Sequence, residues 1–182
     1  MNLRMAAVLL ALASLTGCGP MLSLHPLYTD SDQALDAALV GTWTDDEGKI
    51  LLRVKPSDKA GYDVVYLDES SNKENLGVRL VKLGAFQFVD ITPPTESGLT
   101  VPGHLLGKIW PVDGSLHLAI LGTDWLKERI ANDPSAPAHE ETSDGQLLLT
   151  APTADVRKFV LRYAKEAQAW DETVLQRVAP RK

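Results

Sequence analysis

Few side chains in this sequence are able to do chemistry, and the first of them is a thiol. Cys18 is the single cysteine. Its thiolate is a strong nucleophile that can be alkylated. The four histidines are His25, His104, His117 and His139. His104 and His117 flank a turn at Pro111, a placement that could pair two metal ligands. Neither lies in a compact motif with ligand spacing, so they read as unrelated strand-surface histidines. Asp45, Asp46 and Glu47 precede Gly48, and Glu140, Glu141 and Asp144 form a second acidic group. Neither group has the spacing of a calcium loop, and both read as solvated turns. No Gly-x-Ser-x-Gly elbow occurs, and Ser97-Gly98 and Asp113-Gly114-Ser115 are turns. Gly98, Gly103 and Gly107 make no phosphate loop. Trp110 and Trp125 could line a cavity but read more simply as core or rim residues. The expectation is a protein with no cofactor, no metal site and no catalytic residue, hence not an enzyme.

The surroundings of Cys18 give its thiol a use. Arg4 is the one basic side chain ahead of it, and residues 5–15 are apolar except for Ser14. That run is shorter than the roughly 20 residues of a membrane-spanning helix. A basic start and a short apolar run have the form of a secretory signal peptide. Leu15-Thr16-Gly17-Cys18 then resembles the lipobox of bacterial lipoproteins. The resemblance covers residues 1–18. It implies cleavage between Gly17 and Cys18, a diacylglyceryl group on the Cys18 sulfur, and an acyl chain such as palmitate on the new amine. One chain gives marginal binding at about 0.8 kcal/mol per buried CH₂, and two or more hold firmly. Gly19 stands where inner-membrane lipoproteins carry Asp, which implies the outer membrane. The implied location is the cell envelope, lipid-anchored, with the periplasmic face or the surface left open. With its one cysteine used in this way, the mature domain has no internal disulfide and no thiol for redox chemistry.

Removing residues 1–17 leaves about 165, which suits one domain. The expected division is a cleaved signal over 1–17, a lipidated N-terminus and tether over 18–38, and a single β-rich domain over 39–182. Net charge is −6, and loss of Arg4 makes the mature chain one unit more negative. That balance disfavours nucleic acid, which wants a basic face, and extra adhesion to anionic lipid.

The elements that would position these residues follow from periodicity. Residues 19–36 hold Pro20, Pro26 and the polar run Thr29-Asp30-Ser31-Asp32, and read as tether. Leu27 and Tyr28 are poor linker residues, so His25-Pro26-Leu27-Tyr28 is expected to dock on the domain. Alternation then begins. Ile50, Leu52 and Val54 mark one strand, Tyr62, Val64 and Tyr66 another, and Leu76, Val78 and Leu80 a third. Phe86 and Phe88 follow. Strands over 104–110 and 115–121 are joined by Pro111-Val112-Asp113-Gly114, which reads as a hairpin connection. About seven short strands at regular spacing favour an antiparallel barrel or a sandwich. Residues 146–150 are a candidate eighth. Two helices are expected in the C-terminal third. Asp124 N-caps a short one bearing Leu126, Arg129 and Ile130 on one face. Thr153 N-caps the second, with Asp155 in its first turn. Val156, Phe159, Val160, Tyr163, Ala167 and Trp170 follow its apolar face. Residues 173–178 either form a last strand or continue the helix.

Gly41-Thr42-Trp43 resembles the Gly-x-Trp opening of lipocalin-type (calycin) barrels. In that family the Trp plugs the closed end and a basic side chain from near the last strand packs over it. The resemblance implies this structural pairing for Trp43 and Arg177. It implies a mainly β, lipocalin-like barrel of about 7–9 strands. The helix near Asp124 is extra, and second and third lipocalin motifs are missing. The chain also resembles a group of proteobacterial lipoproteins of unassigned function, in which His-Pro-Leu-Tyr precedes Gly-x-Trp. That likeness implies a location rather than an activity.

Two functions are expected. One is binding of a small apolar ligand, a lipid or an envelope metabolite, inside the barrel. Its wall would carry Ile50, Leu52, Val54, Tyr62, Val64, Tyr66, Leu116 and Leu118, joined by Phe86 and Phe88. The other is a structural or assembly role, with a filled interior and an envelope protein as partner.

Overall fold

The computed structural model describes residues 20–32, 34–93, 103–143 and 145–179. Gly17, Cys18, Ser97, Gly98 and Asp144 lie outside the described residues. The elements, in order, are β1 (Leu22–Ser23), β2 (Gly41–Asp45), β3 (Leu51–Pro56), β4 (Tyr62–Leu67), β5 (Lys73–Leu83), β6 (Phe86–Thr92), β7 (Leu105–Val112), β8 (Ser115–Leu121), α1 (Thr123–Asn132), β9 (His139–Glu141), β10 (Leu147–Leu149), α2 (Thr153–Arg162) and β11 (Trp170–Arg177). Eight strands close into an antiparallel barrel in the order β11-β2-β3-β4-β5-β6-β7-β8. The fold is mainly β and lipocalin-like, a barrel rather than a sandwich. The β7–β8 hairpin turns through Asp113 and Gly114, with φ of 47° and 87°. Two successive positive φ values define a turn whose twist matches that of the strands it joins.

The wall separates two apolar cores. Inside lie Trp43, Tyr62, Val64, Leu80, Val89 and Leu175, among others. Outside, Val81, Phe88, Leu106 and Leu121 pack against α1, α2 and the N-terminal segment. Strands with both faces covered cannot show a clean alternation. Leu80-Val81 and Phe88-Val89 each send one side chain inward and one outward. This corrects the placement of Phe86 and Phe88, which face the outer core. Phe88 is fully buried there, with its ring 5.9 Å from that of Trp170.

The C-terminal third departs from its periodicity in three places. Helix α2 ends at Arg162, so Ala167 and Trp170 do not extend its face. Lys108 Nζ donates to the Ala164 carbonyl at 2.8 Å, and Trp170 Nε1 donates to the Tyr163 carbonyl at 2.9 Å. These donors from the barrel wall bond carbonyls just past the last helical turn, where Tyr163 O also accepts from Glu166 N at 3.0 Å. Burial lowers the pKa of the Lys108 amine. Trp170 then opens β11, the eighth barrel strand. Asp124 and Thr153 lie inside their helices, and Gly122 and Pro152 occupy the caps. Residues 146–150 contribute β10, which lies outside the barrel in a three-stranded sheet with β1 and β9.

Antiparallel order gives the barrel two distinct ends. The upper end gathers the β2–β3 and β4–β5 connections, the end of β6, the start of β7, the end of β8 and the start of β11. The lower end gathers the β3–β4, β5–β6 and β7–β8 connections, the start of β2 and the end of β11. Residues 34–40 close the lower end. Tyr62 Oη accepts from Asp36 N at 2.5 Å and donates to Asp36 O at 3.1 Å, and buried Leu39 joins the interior core. Toward the upper end Leu52, Tyr66, Leu105, Leu118 and Ile120 are only half-buried.

Candidate functional site

The segment read as a tether, with docking expected at His25-Pro26-Leu27-Tyr28, is fastened along the outer wall from Met21 to Asp32. Its apolar residues explain why. Met21 and Leu27 are buried in the outer core. Met21 N donates to Thr123 Oγ1 at 3.0 Å, and Gln146 Nε2 donates to the Pro20 carbonyl at 3.1 Å. β1 pairs in parallel with β10 on one side, and Ser23 exchanges backbone hydrogen bonds of 2.8 and 2.9 Å with His104 on the other. Thr153 Oγ1 donates to the Pro26 carbonyl at 2.7 Å. Further along, the Arg157 guanidinium grips both Asp32 oxygens at 2.5 and 3.2 Å. It holds the Asp32 carboxyl below its ordinary pKa, against the opposing effect of burial. The packed unit therefore begins by Met21, well ahead of residue 39.

The centre of this clamp is a buried polar pair. Asp90 on β6 is fully buried, and His104 just before β7 is 7% exposed. His104 Nδ1 lies 2.7 Å from Asp90 Oδ1. Asp90 Oδ2 accepts from Leu27 N at 2.6 Å. One carboxylate thus ties two barrel strands to the His-Pro-Leu-Tyr segment. Tyr28 meets the His104 ring edge-on at 6.2 Å, and Arg79 lies over the Tyr28 ring at 5.3 Å. Among the described residues Ser23 is the third buried polar residue, which brings Ser, His and Asp into one neighbourhood. They do not form a nucleophilic relay. Ser23 Oγ donates to the His25 carbonyl at 2.6 Å, turning its hydroxyl to its own chain.

The same segment ends at the lower plug. Trp43 Nε1 donates to the Leu39 carbonyl at 2.9 Å. The Arg177 guanidinium lies 4.3 Å from the Trp43 ring centre and donates to the carbonyls of Val40, at 2.9 Å, and Ala38. Gly41 has φ of 147°, and a Cβ there would collide with Arg177 Nη1. The glycine of Gly-x-Trp leaves room for the cation.

The remaining candidates stay apart. His117 bonds Glu172 and stacks on Trp110 at 5.2 Å, on the outer wall. His104 belongs to the clamp, so the two histidines do not share a site. His25 and His139 are exposed. Among the described residues no three His, Cys, Asp or Glu side chains could hold a metal ion. Asp45 caps its own hairpin by accepting from Ile50 N at 2.9 Å. Trp125 packs on Phe159 and Tyr163 and donates to Glu166 Oε1 at 2.9 Å. Two clefts, of about 260 and 280 Å³, lie outside the barrel. The first runs beside the clamp past Tyr28, Asp32, Lys59 and Arg79, and the second lies between α2 and residues 135–138. Neither is an apolar chamber within the barrel.

Asp90 is the residue that sequence reasoning passed over. Its signal was a single acid in the apolar strand Phe88-Val89-Asp90-Ile91, where a buried charge must have a partner. No family model, curated protein or solved structure matches the chain. No helix among the described residues is long and apolar enough to cross a membrane.

Proposed function

We propose that this protein is an envelope lipoprotein, anchored through lipid on Cys18, whose barrel serves as a rigid, closely held module for an envelope partner. The observation that supports this reading is the docking of Met21. Gly19 and Pro20 alone separate the anchoring cysteine from a residue buried in the fold. Three residue steps reach at most about 11 Å. Such a domain is held at the membrane surface and not on a long leash. An outer-membrane location follows from Gly19. An interior core led by Trp43, Tyr62 and Leu80 suits a structural or assembly role.

A second reading keeps the apolar ligand. The half-buried Leu105, Leu118 and Ile120 toward the upper end favour it. The two readings part in native mass spectrometry of the protein taken from membranes. A stoichiometric lipid adduct, beyond the covalent one, supports the ligand reading. Its absence, together with a crosslinked envelope protein, supports the module. For the anchor, radiolabelled palmitate should enter the wild type and not Cys18→Ala. A Cys18→Ala variant that still partitions with membranes overturns it.

A further inference from the structure

We infer that the upper end of the barrel, and not the plugged lower end, faces the lipid bilayer. The inference rests on the Cys18 anchor proposed above and adds an orientation to it. Met21 is fixed to Thr123, the first residue of α1, directly beyond the end of β8. Leu22 packs against Gly103, just ahead of β7. Gln146, at the foot of the β9–β10 turn, holds Pro20. All three contacts lie at the upper end. From Met21 the chain descends the outer wall, past Asp90 and Arg157, to the lower plug at Trp43.

Reach decides which end meets the membrane. Cys18 lies within about 11 Å of Met21. The seven residues of β8 span about 20 Å along the wall to the lower turn at Asp113-Gly114. A lipid on Cys18 therefore cannot bring the lower end to the headgroups while Met21 stays docked. The surface brought against them is the first turn of α1, with exposed Asp124, and the β9–β10 turn, with exposed Ser143. The upper rim is acidic. Burial, and then the charges of Asp68, Glu74 and Asp45, raise the pKa of the Tyr66 hydroxyl there. The short chain, not charge attraction, holds this end down, so a zwitterionic surface suits it best.

The test places spin labels on the lipidated full-length protein. The sulfur of Cys18 is alkylated in that form and does not react. New cysteines are introduced singly as Asp124→Cys, Ser143→Cys and, at the lower end, Val112→Cys. Each is reconstituted in phosphatidylcholine vesicles carrying a nickel-chelating headgroup. Nickel-induced relaxation should be several-fold stronger at positions 124 and 143 than at 112. Equal relaxation at all three, or the strongest at 112, overturns the orientation. A linker of about twenty Gly/Ser residues inserted after Gly19 should abolish the difference while palmitate incorporation is unchanged. If the difference survives that insertion, the short tether is not its cause and the inference fails. Lipid missing from Cys18 in the mass spectrum sinks the anchor and the orientation together. Lipid present without the site difference sinks the orientation alone.

Discussion

Arg177 lies over Trp43 at 4.3 Å, and the two residues face each other directly across the β11–β2 ladder. The last barrel strand thereby closes on the first through a cation on an aromatic face. The guanidinium also satisfies two carbonyls of the segment that seals the lower end. Gly41→Ala should lower stability by about 1–3 kcal/mol, through an unfavourable φ and displacement of the guanidinium. Arg177→Ala should cost about 1 kcal/mol. In the double variant the two losses should not add, because both act on one contact. Urea denaturation of the four proteins measures this.

The Asp90 carboxylate serves His104 and Leu27 at once. Asp90→Ala leaves a buried imidazole and a backbone N–H without an acceptor, and should cost about 3–5 kcal/mol. The loss should be local as well as global. Proteolysis is expected to cut the released segment near residues 24–29 before the barrel unfolds. A variant whose segment resists cleavage like the wild type would show that the clamp does not depend on Asp90.

The Asp32–Arg157 pair gives the clamp a pH dependence. The folded-state pKa of Asp32 lies below its ordinary 3.8, chiefly through the Arg157 hydrogen bonds. Its stabilisation is therefore fully present above about pH 4 and is lost as pH falls through the lowered folded value. Arg157→Met should be about 1 kcal/mol less stable than the wild type at pH 7. The gap should narrow below pH 4. Chemical denaturation across that range measures it, and a constant gap would count against the pair.

The outer core can be probed apart from the barrel interior. Phe88→Ala should cost about 3–5 kcal/mol, because the side chain is fully buried. Phe86, on the same face but half-buried, should cost less when truncated. Similar small effects at both positions would contradict the placement of Phe88 beneath the helices.

Much of the barrel was legible because its strands obey a period of two. Half-buried Leu52 and Val54 alternate with exposed Arg53 and Lys55, and buried Tyr62 and Val64 flank exposed Asp63, so the pattern prints the fold. From Leu80 to Leu121 both faces of the strands are covered, and the pattern no longer says which side is inside. Phe88 was misplaced for that reason. Trp170 has helical spacing from Phe159 and Tyr163, yet it opens β11. In the structure the helix ends at Arg162, and Lys108 and Trp170 from the wall donate to the carbonyls of Ala164 and Tyr163 just beyond it.

The sequence by itself determined the alternating strands, the hairpin connection at Pro111-Val112-Asp113-Gly114 and the Gly-x-Trp opening, whose pairing with a late arginine was implied by the lipocalin resemblance alone. Each depends on local chemistry, a period, a turn or a short motif, that neighbouring residues carry. Docking of His25-Pro26-Leu27-Tyr28 was legible from its apolar residues, and tertiary structure alone decided that the clamp runs on both sides of it, from Met21 to Asp32. It alone brought Asp90, His104 and Leu27 to one buried carboxylate and set Met21 at the upper end of the barrel. Those facts join residues far apart in the chain, and no local pattern records a meeting that only the closed barrel makes.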